Sequence, residues 1–189
     1  MKKTLLATAL LTSMFLPTFV NAADYVVDSK GKHASINFKI SHLGYSFIQG
    51  RFNNFEGEFS YDANNIEASK INVNIDTTSV DSNHAERDKH IKTSDFIDAG
   101  KYSTATFTST NVSKKAEGGL TIEGDLMLHG KTNTIAIDAN MIGEGDDPWG
   151  GYRAGFEGTT RLQLADFGIQ VMGAASYVDM HLHVEGIRQ

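Results

Sequence analysis

The chain has 189 residues, with 17 basic and 23 acidic side chains, a formal net charge of −6 and no cysteine. An acidic balance argues against nucleic acid and anionic membrane surfaces as partners. The lack of cysteine removes disulfides, thiol chemistry and thiolate metal sites.

Met1-Lys2-Lys3 is a basic start, Leu5 to Val20 is apolar with an interruption at Pro17, and Val20-Asn21-Ala22 offers a cleavage site. This is the three-part pattern of a secretory signal peptide, residues 1–22, with cleavage expected between Ala22 and Ala23. The apolar core is short for a membrane span. Loss of Lys2 and Lys3 takes the basic count from 17 to 15 and the formal charge to −8. The remaining residues, 23–189, fit one domain with a real core. Export without disulfides fits a bacterial periplasm.

Period-two alternation then recurs along the chain. A weak strand is predicted at Tyr25–Asp28. Ile36, Phe38 and Ile40 alternate with Asn37, Lys39 and Ser41. Phe55, Phe59 and Tyr61 share a face opposite Glu56, Glu58 and Ser60, and Asp62 to Asn65 form a turn. Ile71, Val73 and Ile75 oppose Asn72, Asn74 and Asp76.

The segment from Thr77 to Phe96 breaks this pattern. It concentrates His84, His90, Arg87, Lys89, Lys92 and several carboxylates. A short helix is predicted near residues 83–98, with Asn83 as N-cap, Glu86 at N3 and Asp88 paired with Lys92. Its sparse apolar residues, chiefly Ile91 and Phe96, suit a surface helix over one end of a sheet structure. A solvated connector is the plainer alternative.

Ala105–Ser113 is a weaker strand. Leu120, Ile122, Leu126 and Leu128 alternate next, after the turn Glu117-Gly118-Gly119. His129-Gly130-Lys131 leads into Ile135, Ile137 and Met141. Gly143 to Gly151 reads as a loop, shaped by glycines and Pro148 and carrying the only tryptophan, Trp149, near Arg153. Arg153 suits a phosphate or carboxylate, or an ion pair with Asp146 or Asp147. Tyr152–Leu164 and then Val178, Met180, Leu182 and Val184 complete the strands, the last with His181 and His183 on its opposite face.

One apolar and one wet face per strand is the antiparallel signature. About eight strands can close into a barrel or pack as two sheets. No helix–strand alternation supports a doubly wound fold, and no GxSxG, P-loop or dinucleotide fingerprint occurs. His84 with Asp88, and the His181–His183 pair, are two-ligand sets without an obvious third.

The segments HASINFKISHLGYS, TTSVDSNHAERDKHIKTSDF, KYSTATFTST, GDLMLHGKT, GDDPWGGYRAGFE and DFGI together resemble the YceI family of bacterial periplasmic proteins, from about Ala23 to the C-terminus. The resemblance implies an all-β fold: an eight-stranded antiparallel lipocalin-like barrel with a helical piece. It implies an elongated hydrophobic pocket for polyisoprenoids or other long-chain amphiphiles, and a binding or transport role, not an enzyme. Related sequences are associated with stress responses and with cytochrome b561-type membrane proteins. No resident cofactor is expected, only a bound isoprenoid lipid or quinone-like molecule, in a monomer or homodimer.

A water-free tunnel suits such a ligand, because each buried CH₂ contributes about 0.8 kcal/mol. The residues expected to line the tail are Phe38, Ile40, Phe55, Val73, Ile122, Leu126, Ile137, Phe156 and Met180. Those expected to hold the head group at the mouth are His84, Arg87, Trp149 and Arg153. The alternatives are a metal-dependent hydrolase using His84, Asp88 or the His181–His183 pair, and a filled barrel acting as a stress-related interaction module.

Overall fold

Alternating sequences need partners for both strand edges, and the fold supplies them by closing on itself. A computed structural model describes residues 22–171 and 175–189. The expected signal peptide lies outside these residues, apart from Ala22. In chain order the elements are β1 (Ala23–Val27), β2 (Ser35–His42), β3 (Ser46–Phe52), β4 (Phe55–Tyr61), β5 (Lys70–Asp76), β6 (Val80–Asp81), the helix α1 (Ala85–Ile91), β7 (Thr104–Lys114), β8 (Leu120–Leu128), β9 (Lys131–Asp146), β10 (Tyr152–Gln163) and β11 (Tyr177–Arg188).

These strands make eight staves. β1 and β2 lie end to end along one edge of β11, with Val27 opposite Gly186 and Ser35 opposite His183. β3 and β4 form the next stave, pairing with β2 and β1 respectively. β5 pairs with β4 and β6 with β3, making the third. β7, β8, β9, β10 and β11 follow as antiparallel neighbours and bring the sheet back to its start. The barrel is therefore closed, antiparallel and eight-staved, as the family resemblance implies; alternation alone also allows two packed sheets.

Strand β3 is absent from the alternation read in the sequence. Its inward positions are Ile48, Gly50 and Phe52, and glycine there masks the apolar rhythm. The glycine has a steric reason: a Cβ at Gly50 would stand 2.3 Å from the Phe38 ring. The predicted turn at Gly143–Gly151 is also shorter than expected. β9 runs on to Asp146, with Gly143 opposite Gly155 and a register shift at Gly155/Phe156.

The helix starts later and ends earlier than predicted. Asn83 has φ of 64°, and its N–H donates to Asp81 Oδ1 at 2.9 Å, so it serves the preceding turn. His84 is the N-cap instead, its Nδ1 accepting from the Arg87 N–H at 3.2 Å. Asp88 does not pair with Lys92; its Oδ1 accepts from both the N–H and the hydroxyl of Ser82. Beyond Ile91, Thr93 donates its hydroxyl to the His90 carbonyl and the chain continues as turns to Lys101. A side chain that satisfies a helix-end carbonyl in this way competes with further helix.

Two apolar clusters close the ends. At one, Tyr25 stacks on Phe59 at 4.8 Å, and Phe156 meets Phe59 and Tyr61 edge-on at 5.7 and 5.2 Å. At the other, Phe107, Leu126, Ile137 and Leu162 pack with Leu164, Phe167 and Ile169. Thr77 ties the α1 end to the barrel: it is 1 % exposed and donates its hydroxyl to the Tyr102 carbonyl at 2.7 Å. Thr77→Val keeps the shape but orphans that carbonyl. It should lower stability by about 1–3 kcal/mol in urea unfolding, with the m-value unchanged.

Candidate functional site

Inward side chains of a filled barrel would be buried against each other. Here many are not. Phe38, Ile40, Phe52, Phe55, Ile71, Val73, Ile122, Ile135, Phe156 and Met180 all point inward yet keep accessible surface. They face an internal cavity of about 470 Å³. That volume lies in the range of small-ligand pockets. All nine residues expected to line a tail are on its wall.

Aromatic rings are laid flat against this wall by glycines on neighbouring strands. Besides Phe38 over Gly50, the Phe107 ring would stand 2.5 Å from a Cβ at Gly124. The space along the barrel axis exists because these rings do not project into it.

The cavity opens beside α1. Ser41, His42, Leu43, Arg87, His90 and Phe96 line this mouth. Arg87 donates from Nε to Ser82 Oγ at 2.7 Å and from Nη2 to the Ser82 carbonyl at 2.6 Å. Ser82 is itself held by Asp88, so the guanidinium is fixed while its remaining N–H groups have no hydrogen-bond partner among the described residues. His90 packs edge-on to Phe96 at 4.9 Å and lies 3.5 Å from Asp95. Leu43, Tyr45 and Phe47 stand exposed on the β2–β3 hairpin tip.

Of the four residues expected at a head group, only Arg87 lines the cavity. His84 is the exposed helix cap. Trp149 is 77 % exposed on the β9–β10 turn, at the barrel end away from α1. Arg153 is on the outer wall near that turn, inside an ion-pair cluster. Its Nε donates to Asp147 Oδ2 at 2.9 Å, and its Nη1 donates to Asp28 Oδ2 at 2.8 Å and to Glu185 Oε1 at 2.5 Å. The expected pairing of Arg153 with an aspartate of its own loop is present, but Asp28 comes from the β1–β2 loop and Glu185 from β11. His42 and His90 also line the mouth; no local pattern marks them for it, although both lie in segments that carry the family resemblance.

Asp28, His33 and Glu185 bring three metal-type ligand atoms within 4.8 Å of one another. The Arg153 guanidinium already bridges the two carboxylates, so the cluster's positive charge is covalently built in. His181 and His183 are exposed on the outer face of β11, opposite Asn37 and Ser35.

Asp28 is 8 % exposed and holds the β1–β2 loop by accepting from the Gly31 N–H at 2.8 Å. Hydrogen bonds from His33 and then Arg153 lower its pKa to about 2. A carboxylate depressed in the folded state stabilises the fold above its unfolded pKa. That contribution should be lost as pH falls from about 4 to about 2, seen as a falling urea midpoint. Arg153→Ala should flatten this acid dependence.

The fold and cavity define the class: a closed antiparallel barrel around an apolar chamber. A YceI-like domain model matches residues 25–186, and the chain belongs to the YceI family. A UPF0312 protein of Vibrio cholerae is 67% identical over 189 residues, spanning all of both chains. One from Shewanella baltica is 56% identical over 191 residues, again over the full length of both. Among solved structures, the Campylobacter jejuni YceI protein matches with TM-score 0.71 and 25% identity, over 79% of this chain and 90% of that one. A polyisoprenoid-binding domain from Saccharophagus degradans shares the fold with TM-score 0.62 and 15% identity, over 89% of this chain and 99% of that one.

Proposed function

We propose that this protein binds a long-chain isoprenoid or similar amphiphilic lipid in its barrel, and carries or stores it in the periplasm. The observation that carries this reading is the ring of inward apolar side chains left unburied around the 470 Å³ cavity. Such a surface has its natural complement in a hydrocarbon chain, with each methylene transferred from water contributing about 0.8 kcal/mol. The shared fold with the polyisoprenoid-binding domain of Saccharophagus degradans supports it. The signal-peptide pattern supports the compartment. A chamber lined mainly by aliphatic and aromatic side chains supports a role in binding and not in catalysis. A membrane partner would supply or take the lipid, and a cytochrome b561-type protein is the candidate that the family resemblance brings.

In this reading Arg87, with His42 and His90, meets a phosphate head at the mouth. Trp149 and Arg153 have no part in it, and Arg153 works for the stability of the barrel wall.

Native mass spectrometry of protein purified from its own periplasm should show a bound lipid. Repeated recovery of empty protein that takes up no added polyprenyl lipid would overturn the reading. Val73→Trp places a large ring in the cavity and should abolish uptake of farnesyl phosphate while the β-sheet circular dichroism signal stays. Unchanged affinity would remove the Val73 face from the binding surface.

A further inference from the structure

The acidic balance of the whole chain argues against an anionic surface as partner, but the charge is unevenly spread. Between Asp28 and Glu56 there is no carboxylate side chain, while Lys30, Lys32, Lys39 and Arg51 fall in this stretch. The β2–β3 hairpin lies inside it. Its tip carries three large apolar side chains close together: Leu43 is 59 % exposed, Tyr45 88 % and Phe47 60 %. Single exposed apolar residues are ordinary, whereas a contiguous group of them marks a contact surface.

The tip projects beyond its neighbouring staves. β2 pairs with β11 from Ser35 to Ile40, and β3 pairs with β6 at Arg51 and Phe52. From Ser41 to Phe47 the two strands have only each other as strand partners among the described residues. This ribbon is nevertheless a fixed object. The Tyr45 N–H donates to the His42 carbonyl at 3.0 Å, and the Gly44 N–H donates to Ser41 Oγ at 3.2 Å. Leu43 holds a φ of 53° in that turn, a left-handed conformation that favours glycine, asparagine or aspartate. Folding alone gives no reason to keep an apolar residue exposed in a backbone conformation it disfavours.

Area, shape and charge favour a bilayer over a protein as what covers the tip. Aromatic side chains bury ~150–250 Å² each, so three residues of this size fall short of the ~800 Å² per partner of a stable protein interface. A narrow projecting ribbon suits a fluid layer that closes around it. Lys39 sets its Nζ 4.9 Å from the centre of the Phe47 ring. That is how a long side chain buries its stem on apolar surface and keeps its ammonium at the level of headgroup phosphates. On the α1 side Arg87, Lys89 and Lys92 are matched by Glu86, Asp88 and Asp95, so the uncompensated positive charge belongs to the hairpin. Leu43, with Ser41 and His42, also lines the cavity, so the tip and the apolar chamber form one continuous surface.

We infer that the β2–β3 tip docks on an anionic phospholipid bilayer, with Leu43, Tyr45 and Phe47 entering its interfacial layer and Lys39 meeting the headgroup phosphates. The mouth of the chamber then rests on the membrane, and an isoprenoid chain passes between the two without exposing its methylenes to bulk water. The docking rests on the lipid-binding reading above for its purpose. The contact itself is with phospholipid and needs no guest in the cavity.

Flotation of lipid-stripped protein with vesicles tests this. The parent should float with vesicles of phosphatidylcholine mixed with phosphatidylglycerol, and should bind phosphatidylcholine alone about fivefold more weakly, the scale of one cationic side chain near an anionic surface. Leu43→Asn suits the left-handed turn, so its urea midpoint should match or exceed that of the parent while its vesicle affinity falls about tenfold. Phe47→Ser should lower vesicle affinity likewise. The native tryptophan, Trp149, is at the far barrel end and should keep its emission when vesicles are added. In a Trp149→Phe background, the indole introduced by Tyr45→Trp should shift to the blue and be quenched by phospholipids brominated on their acyl chains. Absence of flotation with the anionic vesicles, equal affinity of the parent and Leu43→Asn, or an unshifted emission from position 45 would overturn the docking. Self-association of the parent in sedimentation velocity that Leu43→Asn abolishes would assign the tip to a second copy of the chain, and would overturn it as well. Uptake of farnesyl phosphate is measured separately, without vesicles. Its failure would overturn the lipid-binding reading and leave the docking standing.

Discussion

The structure depends on the closing ladder between β11 and the two-part stave made of β1 and β2. Without it the sheet would present two unpaired edges, and the inward apolar residues would face water from both sides. With it, each stave has a neighbour on both sides and the interior becomes a chamber. The break between β1 and β2 is the weak point of this closure. Asp28 fills it by capping the Gly31 N–H, and Arg153 and Glu185 fasten Asp28 to β10 and β11.

A hollow barrel gives up some of the packing that stabilises an ordinary core. The inward residues midway along the staves have few atoms across the axis to touch. Stability is instead concentrated at the two ends, in the stacked aromatics around Phe59 and in the cluster under Phe167. Between them the wall is held by backbone ladders and by outer-face ion pairs such as Arg161–Asp179. A ligand that fills the chamber replaces the missing cross-axis contacts, so occupancy and fold stability are linked.

Much of this could be read before the structure was known, because alternation determines which side of a strand faces inward. The nine residues expected to line a tail all lie on the cavity wall. What alternation does not carry is whether the interior is full, since a filled and a hollow barrel share the same inward residues. Strand β3 was hidden by Gly50, a residue whose reason is the Phe38 ring across the ladder. For Arg153 the loop partner Asp147 is visible in the local sequence, whereas Asp28, another of its partners, lies 125 residues away.

The glycines beneath the cavity rings have a wider consequence. Where a ring lies flat on a backbone with no Cβ, the width of the chamber is written in the wall and not in the side chains that line it. A methyl group added at Gly50 or Gly124 would swing Phe38 or Phe107 toward the axis and narrow the passage, with no change to any lining residue. Relatives of the same fold can thus be tuned to thicker or thinner guests by single exchanges at positions that touch no guest at all.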